Sequence, residues 1–447
     1  MLTFLRQRAL AINEVYFERL IFNAEKGREE CNNQLTYSRR GKMKSTAQYG
    51  KCTVYVLLFV LLMAFPLIAH SKDKIVIGQA ASLSGILGGD YTFSCAPYYD
   101  FWVKVVNAEG GIYVKEYGKK LPVELKVYDD KSDIGTMTRL LEKLIMEDKV
   151  DFVFAPWSTA FTFAAAPVAN KHGYILMCNG AGAMKLKDFA ADLPYYFQTL
   201  NFAETQVPVL VDILGELGVK KVAIMYHDDL HGVENSEAAV PALTDRGFEI
   251  VINKSYPMGV KDLSPVLKRA KSLNADAFIG FSYPGEVMLV TGQAMELGIN
   301  FKVFGFTVGP AFTFYPEAFG PLAEGVIGGG AWNEKSSPGA KEFAEHFKEV
   351  MGKPINNYWG ALYWYSALQH FQQSIEKAGT LNQEKIRDVM AKKKFDTALG
   401  KFWYDKRRIF VNHPGEWGQW QKGFFEVIDP GKKRTAAPIV KPDWPKK

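Results

Sequence analysis

From Lys74 onward, short runs of β-branched and aromatic residues alternate with amphipathic stretches. The first series reads KIVIGQA, a helix over Tyr91–Asn107, VELKVYDD, a helix over Thr136–Glu147, DFVFAP, a helix toward Lys171, and YILMCN. This βαβα order predicts a parallel sheet with helices on both faces, because a parallel crossover needs a connection long enough to hold a helix. After a change of direction near Phe197–Thr205 a second series follows: KKVAIMYHDD, a helix over Ser236–Asp245, FEIVINKSY, a helix opened by Ser264-Pro265, DAFIGFSY, a helix over Glu286–Glu296, and FKVFGFT. The pattern predicts an α/β fold with two doubly wound parallel sheets.

Ser264-Pro265 and Ser337-Pro338 each read as an N-cap followed by proline at the first helical position, where the missing N–H costs nothing. Beyond GVIGGGAW, helices are expected over Lys341–Val350 and Tyr358–Lys377, then short strands in GKFWYD and in the pair GQWQ and FFEVID. The Lys- and Pro-rich tail over 431–447 is expected to fray.

Length supports two cores, since 447 residues far exceed the roughly 150 of one domain. The formal charge of +6 is concentrated upstream: residues 1–71 hold 10 basic and 5 acidic residues, so the rest is close to neutral. A near-neutral body lacks the clustered Lys and Arg that nucleic acid or an anionic membrane surface demands. A small-molecule partner and no nucleic acid are expected.

The run CTVYVLLFVLLMAFPLIA from Cys52 to Ala69 follows Lys44 and Lys51 and precedes a small-x-small pattern at Ala69-His70-Ser71. It reads as a secretory signal peptide over 43–71 starting at Met43, with 1–42 a non-native upstream extension; an uncleaved membrane anchor is the alternative reading. The expected location is the periplasm. Cys95 and Cys178 then remain, lie in different predicted elements and are expected unpaired.

Where a strand runs into a helix in such sheets, the free N–H groups of the helix start favour an anion. Ser158 and Thr159 stand at such a junction, where their hydroxyls and amides suit a carboxylate; a plain Ser/Thr N-cap is the alternative. The loop Asn179-Gly180-Ala181-Gly182 is small enough for its backbone to approach a ligand, or is simply a turn. His227-Asp228-Asp229-Leu230-His231 packs two imidazoles and two carboxylates together, but it follows a strand and lacks the helical spacing of a metal pair, so no metal is expected. No cofactor is expected either. The chain contains no G-x-G-x-x-G, no G-x-x-x-x-G-K-[ST] and no G-x-S-x-G, so no enzyme is predicted.

Four segments in order, KIVIGQAASLSG at 74–85, DFVFAP with Trp157-Ser158-Thr159, AIMYHDDLHG at 223–232 and GQWQKGFFEVID at 418–429, resemble the leucine/isoleucine/valine-binding group of type I periplasmic substrate-binding proteins of ABC importers. The resemblance spans residues 74–430. It implies two lobes joined by a three-strand hinge, the first over 74–195 and 331–397, the second over 196–330 and 398–430, closing on a ligand. It implies a monomer that delivers its ligand to a membrane-embedded ABC permease; a ligand-sensing component of a signalling receptor is the alternative use of the same fold. It places Ser84 at the cleft rim, Trp157, Ser158, Thr159, Asn179, Gly180 and Ala181 around a carboxylate, and His231, Tyr283 and Thr307 on the second lobe. Here the chain departs from the group: His231 replaces a tyrosine, and Gly305–Gly309 carries no acid to pair with an α-ammonium. A buried ammonium needs a carboxylate partner, which Glu286 or Asp228 could supply instead; the expected ligand is a small carboxylate, branched-chain amino acid-like or an aromatic or aliphatic acid, walled by Trp157, Phe281, Tyr283 and Phe306.

Overall fold

The run IVIGQAA forms β1 (Ile75–Ala81), buried on both faces apart from Val76, as a central parallel strand must be. The computed structural model describes residues 72–444, so the extension expected over 1–42 and the leader expected over 43–71 lie outside the described residues. Downstream of β1 come α1 (Gly88–Ser94), α2 (Ala96–Ala108), the hairpin β2 (Ile112–Val114) and β3 (Lys119–Leu121), then β4 (Val123–Asp129), α3 (Ile134–Met146) and β5 (Phe152–Val153). Next are α4 (Thr159–Lys171), β6 (Leu176–Cys178), α5 (Lys185–Asp192) and β7 (Tyr196–Gln198). Strands β4 and β5 flank β1 in parallel, while β6 and β7 form a separate parallel pair, so the first lobe's sheet is divided in two.

The second series gives α6 (Ala203–Glu216), β8 (Lys221–His227), α7 (Leu230–Thr244), β9 (Glu249–Tyr256), α8 (Ser264–Ser272), β10 (Ala277–Phe281) and α9 (Pro284–Glu296). It ends in β11 (Val303–Phe306), α10 (Phe314–Phe319) and β12 (Ile327–Gly329). The chain then returns to the first lobe through α11 (Pro338–Met351), α12 (Ala361–Ala378), α13 (Gln383–Lys392) and the hairpin β13 (Phe395–Thr397) and β14 (Gly400–Phe402). It closes the second with the antiparallel pair β15 (Trp417–Gln421) and β16 (Phe424–Val427). The second sheet is continuous in the order β16-β15-β12-β11-β10-β8-β9. Two doubly wound lobes joined by three crossings are thus present, as expected.

Several boundaries differ from expectation for local reasons. The helix expected over Tyr91–Asn107 breaks at Cys95 because Pro97 cannot donate into the preceding turn. Helix α7 begins at Leu230, six residues before Ser236, because Asp229 caps it by accepting the Gly232 N–H at 2.9 Å. Ser264 is inside α8, not its cap, and Asp262 accepts its N–H at 2.8 Å. Ser337 does occupy the N-cap position of α11, but its hydroxyl donates to the Ala398 carbonyl at 3.0 Å.

The first crossing follows β7, which pairs with β6, and the third follows Phe410, whose N–H reaches the Gln198 carbonyl at 2.8 Å. The chain therefore leaves the first lobe later than residues 195 and 397. Residues 431–444 of the tail are held and not frayed: Ile439 N–H donates to Gln419 Oε1 at 2.8 Å, Lys441 N–H to the Lys302 carbonyl at 2.9 Å, and the Trp444 indole to the Ile299 carbonyl at 2.7 Å.

Glu416, at the third crossing, is 8% exposed, and its Oε2 has no hydrogen-bond partner. Burial pushes its carboxyl up from 4.5 to about 8, Asp429 adding to the shift and Lys433 opposing it. A carboxyl whose folded pKa is raised contributes stability that is present below its unfolded pKa and lost as pH rises through the folded value. The free protein is expected to melt at progressively lower temperature as pH rises from about 5 to about 8. Glu416→Gln, neutral throughout, flattens that slope, a result readable by calorimetry across the range.

Candidate functional site

Strand β5 leads through Phe154–Trp157 into Ser158, which stands at the N-cap of the 13-residue helix α4 with φ 78° and ψ 157°. A serine in this left-handed region is strained. Its hydroxyl does not cap the helix: Oγ is buried without a hydrogen-bond partner, and the first amides of α4 receive no side-chain cap. A polar atom left unpaired in this way is costly unless something binds it. The plain N-cap reading therefore fails, and an anion site fits.

Ser158 opens into a cleft of about 370 Å3, lined in the first lobe also by Leu87, Asp133 and Phe161, and in the second by Asp229, Met258 and Tyr283. That volume suits a small organic molecule. On the second lobe, Tyr283 donates its hydroxyl to Asp229 Oδ2 at 2.9 Å, and its ring lies 5.3 Å from each of the His227 and His231 rings. His231 Nε2 is 3.1 Å from Thr307 Oγ1, which accepts the Ser282 N–H at 3.1 Å and donates to the Ser282 carbonyl at 3.2 Å. With Thr307 already donating, His231 must give its Nε2 proton to it, leaving Nδ1 to face the Asn235 amide at 3.3 Å. Burial lowers the His231 pKa and keeps the ring neutral.

The ten residues expected at the site fall into three groups. Ser158 and Tyr283 line the cleft, and His231 and Thr307 stand directly behind Tyr283. Trp157, Thr159, Asn179, Gly180 and Ala181 do not line the cleft, and all but the half-buried Gly180 are buried. Trp157 packs edge-on against Trp359 and Trp364 at 5.6 and 6.2 Å, and Gly180 is required because a Cβ there would sit 2.8 Å from that indole. The Ala181 carbonyl is taken by Gln198 Nε2 at 2.7 Å, so this loop faces the core. Ser84 is exposed and outside the cleft lining, with its hydroxyl bound to Asp129 at 2.6 Å and its carbonyl accepting from Ser132 at 2.8 Å. Phe281 and Phe306, expected as walls, are core residues at 0% exposure.

Gly305–Gly309 carries no acid, as read from the sequence, but acids on other elements stand near the cleft. Asp229 lines the cleft, and Glu286 and Asp90 stand near enough to His227 and to each other for their charges to interact. Burial and the neighbouring Glu286 carboxylate push the Asp90 carboxyl up to about 8, with His227 pulling the other way. For Asp229 burial acts upward, but His227, His231 and the Gly232 N–H together hold the carboxyl below its usual range. The HDDLH segment contained the signal, since Asp229 caps α7, whereas Asp228 is exposed. Asp90 gave no local signal at all. Among the described residues, no group of three or more His, Cys, Asp or Glu is placed to hold a metal, and Cys95 and Cys178 are buried and free.

Two lobes with an anion-ready helix start facing a polar aromatic wall define a two-lobed ligand-binding protein. The chain belongs to the periplasmic binding protein family, whose model matches residues 74–424. It is 26% identical over 397 residues to the Leu/Ile/Val-binding protein homolog 7 of Brucella suis biovar 1, covering 81% of this chain and 96% of the relative. It is 22% identical to the leucine-, isoleucine-, valine-, threonine-, and alanine-binding protein of Pseudomonas aeruginosa, covering 75% and 89%. Among solved structures, a solute binding protein of an ABC transporter from Rhodopseudomonas palustris BisB5, in complex with 3,4-dihydroxy benzoic acid, superposes with TM-score 0.69 at 20% identity, covering 83% and 99%. The leucine binding protein LivK from Thermotoga maritima gives 0.68 at 20% identity, covering 80% and 99%. The expected type I fold and membership of the periplasmic binding protein family are borne out.

Proposed function

We propose that this chain is the periplasmic solute-binding protein of an ABC importer, which captures a small carboxylate-bearing ligand by closure of its lobes and delivers it to a membrane-embedded permease. The observation that carries this reading is the buried, unpartnered Ser158 hydroxyl at the uncapped start of α4, facing the Tyr283–Asp229 pair across the cleft. The carboxylate accepts from Ser158 and the α4 amides, and Tyr283 and Asp229 engage the other end once the lobes close. The names of the relatives, which cover amino acids and an aromatic acid, support a carboxylate-bearing ligand.

A thermal-shift screen of the purified protein against amino acids, aromatic and aliphatic carboxylates, and the matching amides tests it. A bound ligand at a hundred times its dissociation constant stabilises by about 2.7 kcal/mol, a clear upward shift. Acids are expected to shift the melt and amides not. An equal response to amides, or turnover of any compound, overturns the reading.

A further inference from the structure

The wall behind Asp229 and Tyr283 contains more unsatisfied polar atoms than the cleft surface itself. His227, at the end of β8, is 1% exposed, and neither ring nitrogen makes a hydrogen bond; Nδ1 stands 3.4 Å from Asp229 Oδ1 without an aligned bond. Tyr256, at the end of β9, is 6% exposed, and Ser282, after β10, is 0% exposed. Neither hydroxyl makes an aligned hydrogen bond, although the two stand near enough for Ser282 to act on the Tyr256 phenol. The Tyr256 and Tyr283 rings meet the His227 ring near perpendicular, at 5.6 and 5.3 Å. Glu286, in the first turn of α9, is 9% exposed, and its carboxylate acts on both His227 and Tyr256. Asp90 reaches this group from the opposite lobe, close enough for Glu286 and His227 to act on its carboxyl in opposite senses.

These atoms select for a hydrogen-bond donor. An alkyl or unsubstituted phenyl group placed here leaves every one of them unpaired, and each buried orphan is penalised. The charge selects further: no Lys or Arg lines the cleft, whereas Asp133 and Asp229 do, so a ligand carrying only a carboxylate enters a field of its own sign. We infer that this compartment receives a protonated amine at the end of the ligand remote from its carboxylate, with Tyr256, Ser282 and His227 accepting its N–H donors and Asp229 and Glu286 balancing its charge. The inference rests on the reading of Ser158 as the carboxylate site.

A proton signature follows. Asp228 and Asp229 beside the ring and Glu286 on α9 raise the His227 pKa against the effect of burial. His231 on α7 opposes protonation of the pair, Asp90 faces the ring from α1, and the phenols of Tyr256 and Tyr283 stay neutral because burial raises both. An arriving ammonium disfavours protonated His227 and favours ionised Asp90, so binding near neutral pH releases protons.

The experiment is calorimetric titration of the purified protein with matched probes: delta-aminovalerate against valerate, para-aminomethylbenzoate against para-methylbenzoate, and leucine against isocaproate. The expected result is about tenfold to a hundredfold tighter binding of a remotely aminated acid than of its amine-free partner, as for a hydrogen-bonded charge. Glu286→Gln and Tyr256→Phe are expected to remove that preference, the aminated acid falling toward the affinity of its amine-free partner. Because either variant can impair folding, the wild-type protein is also titrated in two buffers of different ionisation enthalpy, where proton release is expected. Equal or tighter binding of amine-free acids, or tight leucine binding that ignores both substitutions, overturns the inference and leaves the proposed function standing. Proton uptake on binding also overturns it, and failure of every carboxylate removes both.

Discussion

Ser158→Ala is expected to weaken ligand binding about tenfold to a hundredfold without lowering the melting temperature of the free protein. The asymmetry follows from the structure: the Ser158 hydroxyl is buried but makes no hydrogen bond within the protein, so its removal costs the free fold nothing. The ligand's carboxylate, in contrast, loses a donor to a charged group. Ser158→Gly separates the two roles of the position. Glycine adopts φ 78° without strain, so this variant is expected to melt higher than wild type by the release of about 1 kcal/mol, yet to bind as weakly as the alanine variant. Calorimetry for affinity and scanning calorimetry for stability read both numbers. Wild-type affinity in Ser158→Ala removes the residue from the site.

Gly232→Ala is expected to be the most damaging single methyl addition in the second lobe. A Cβ at that position would stand 1.9 Å from the His227 carbonyl oxygen and 2.7 Å from its amide nitrogen, and backbone cannot rotate away as a side chain does. Helix α7 must shift off the end of β8. That movement breaks the Asp229 cap and displaces the Tyr283–Asp229 pair. A loss of about 3 kcal/mol is expected, with ligand affinity falling more than tenfold alongside it. Gly292→Ala provides the contrast: it lies inside α9 with no atom within 4 Å of the added methyl, so it is expected to gain up to about 1 kcal/mol from helix propensity. Chemical denaturation of the two variants checks the pair, and equal stabilities would sink the steric argument.

Much of the fold was legible because its strands are short, β-branched and separated by helix-length crossovers, a pattern that constrains topology strongly. What escaped was set by single long-range bonds. The tail reads as flexible from its Lys and Pro content, yet one side chain, Gln419, both accepts from the Ile439 amide and donates to the Ile439 carbonyl. The late third crossing depends on Phe410 finding the Gln198 carbonyl. The site was half legible. Ser158 is marked by its strand-to-helix junction, whereas Ser84 reads as a rim residue although Asp129 occupies its hydroxyl. The acids lie away from β11, because Asp229 is brought in through a helix cap and Asp90 stands on α1 of the opposite lobe. Composition and spacing do not reveal such encounters.

The place of β15 in the second sheet bears on when this protein can fold. Strand β12 is covered on one side by β11 and on the other by β15, and the Gln419 amide reaches back across 94 residues to the Gly325 carbonyl. As the chain emerges from its amino-terminal end, the five parallel strands of the second lobe therefore exist for a long interval with β12 as a bare edge. The first lobe waits as well, for α12 to cover its core. Neither lobe can be completed early; both mature together once the last stretch of sequence arrives. Such late, non-local closure makes for slow folding and a long-lived sticky edge. A chain built this way commits to its structure only after nearly all of it is available.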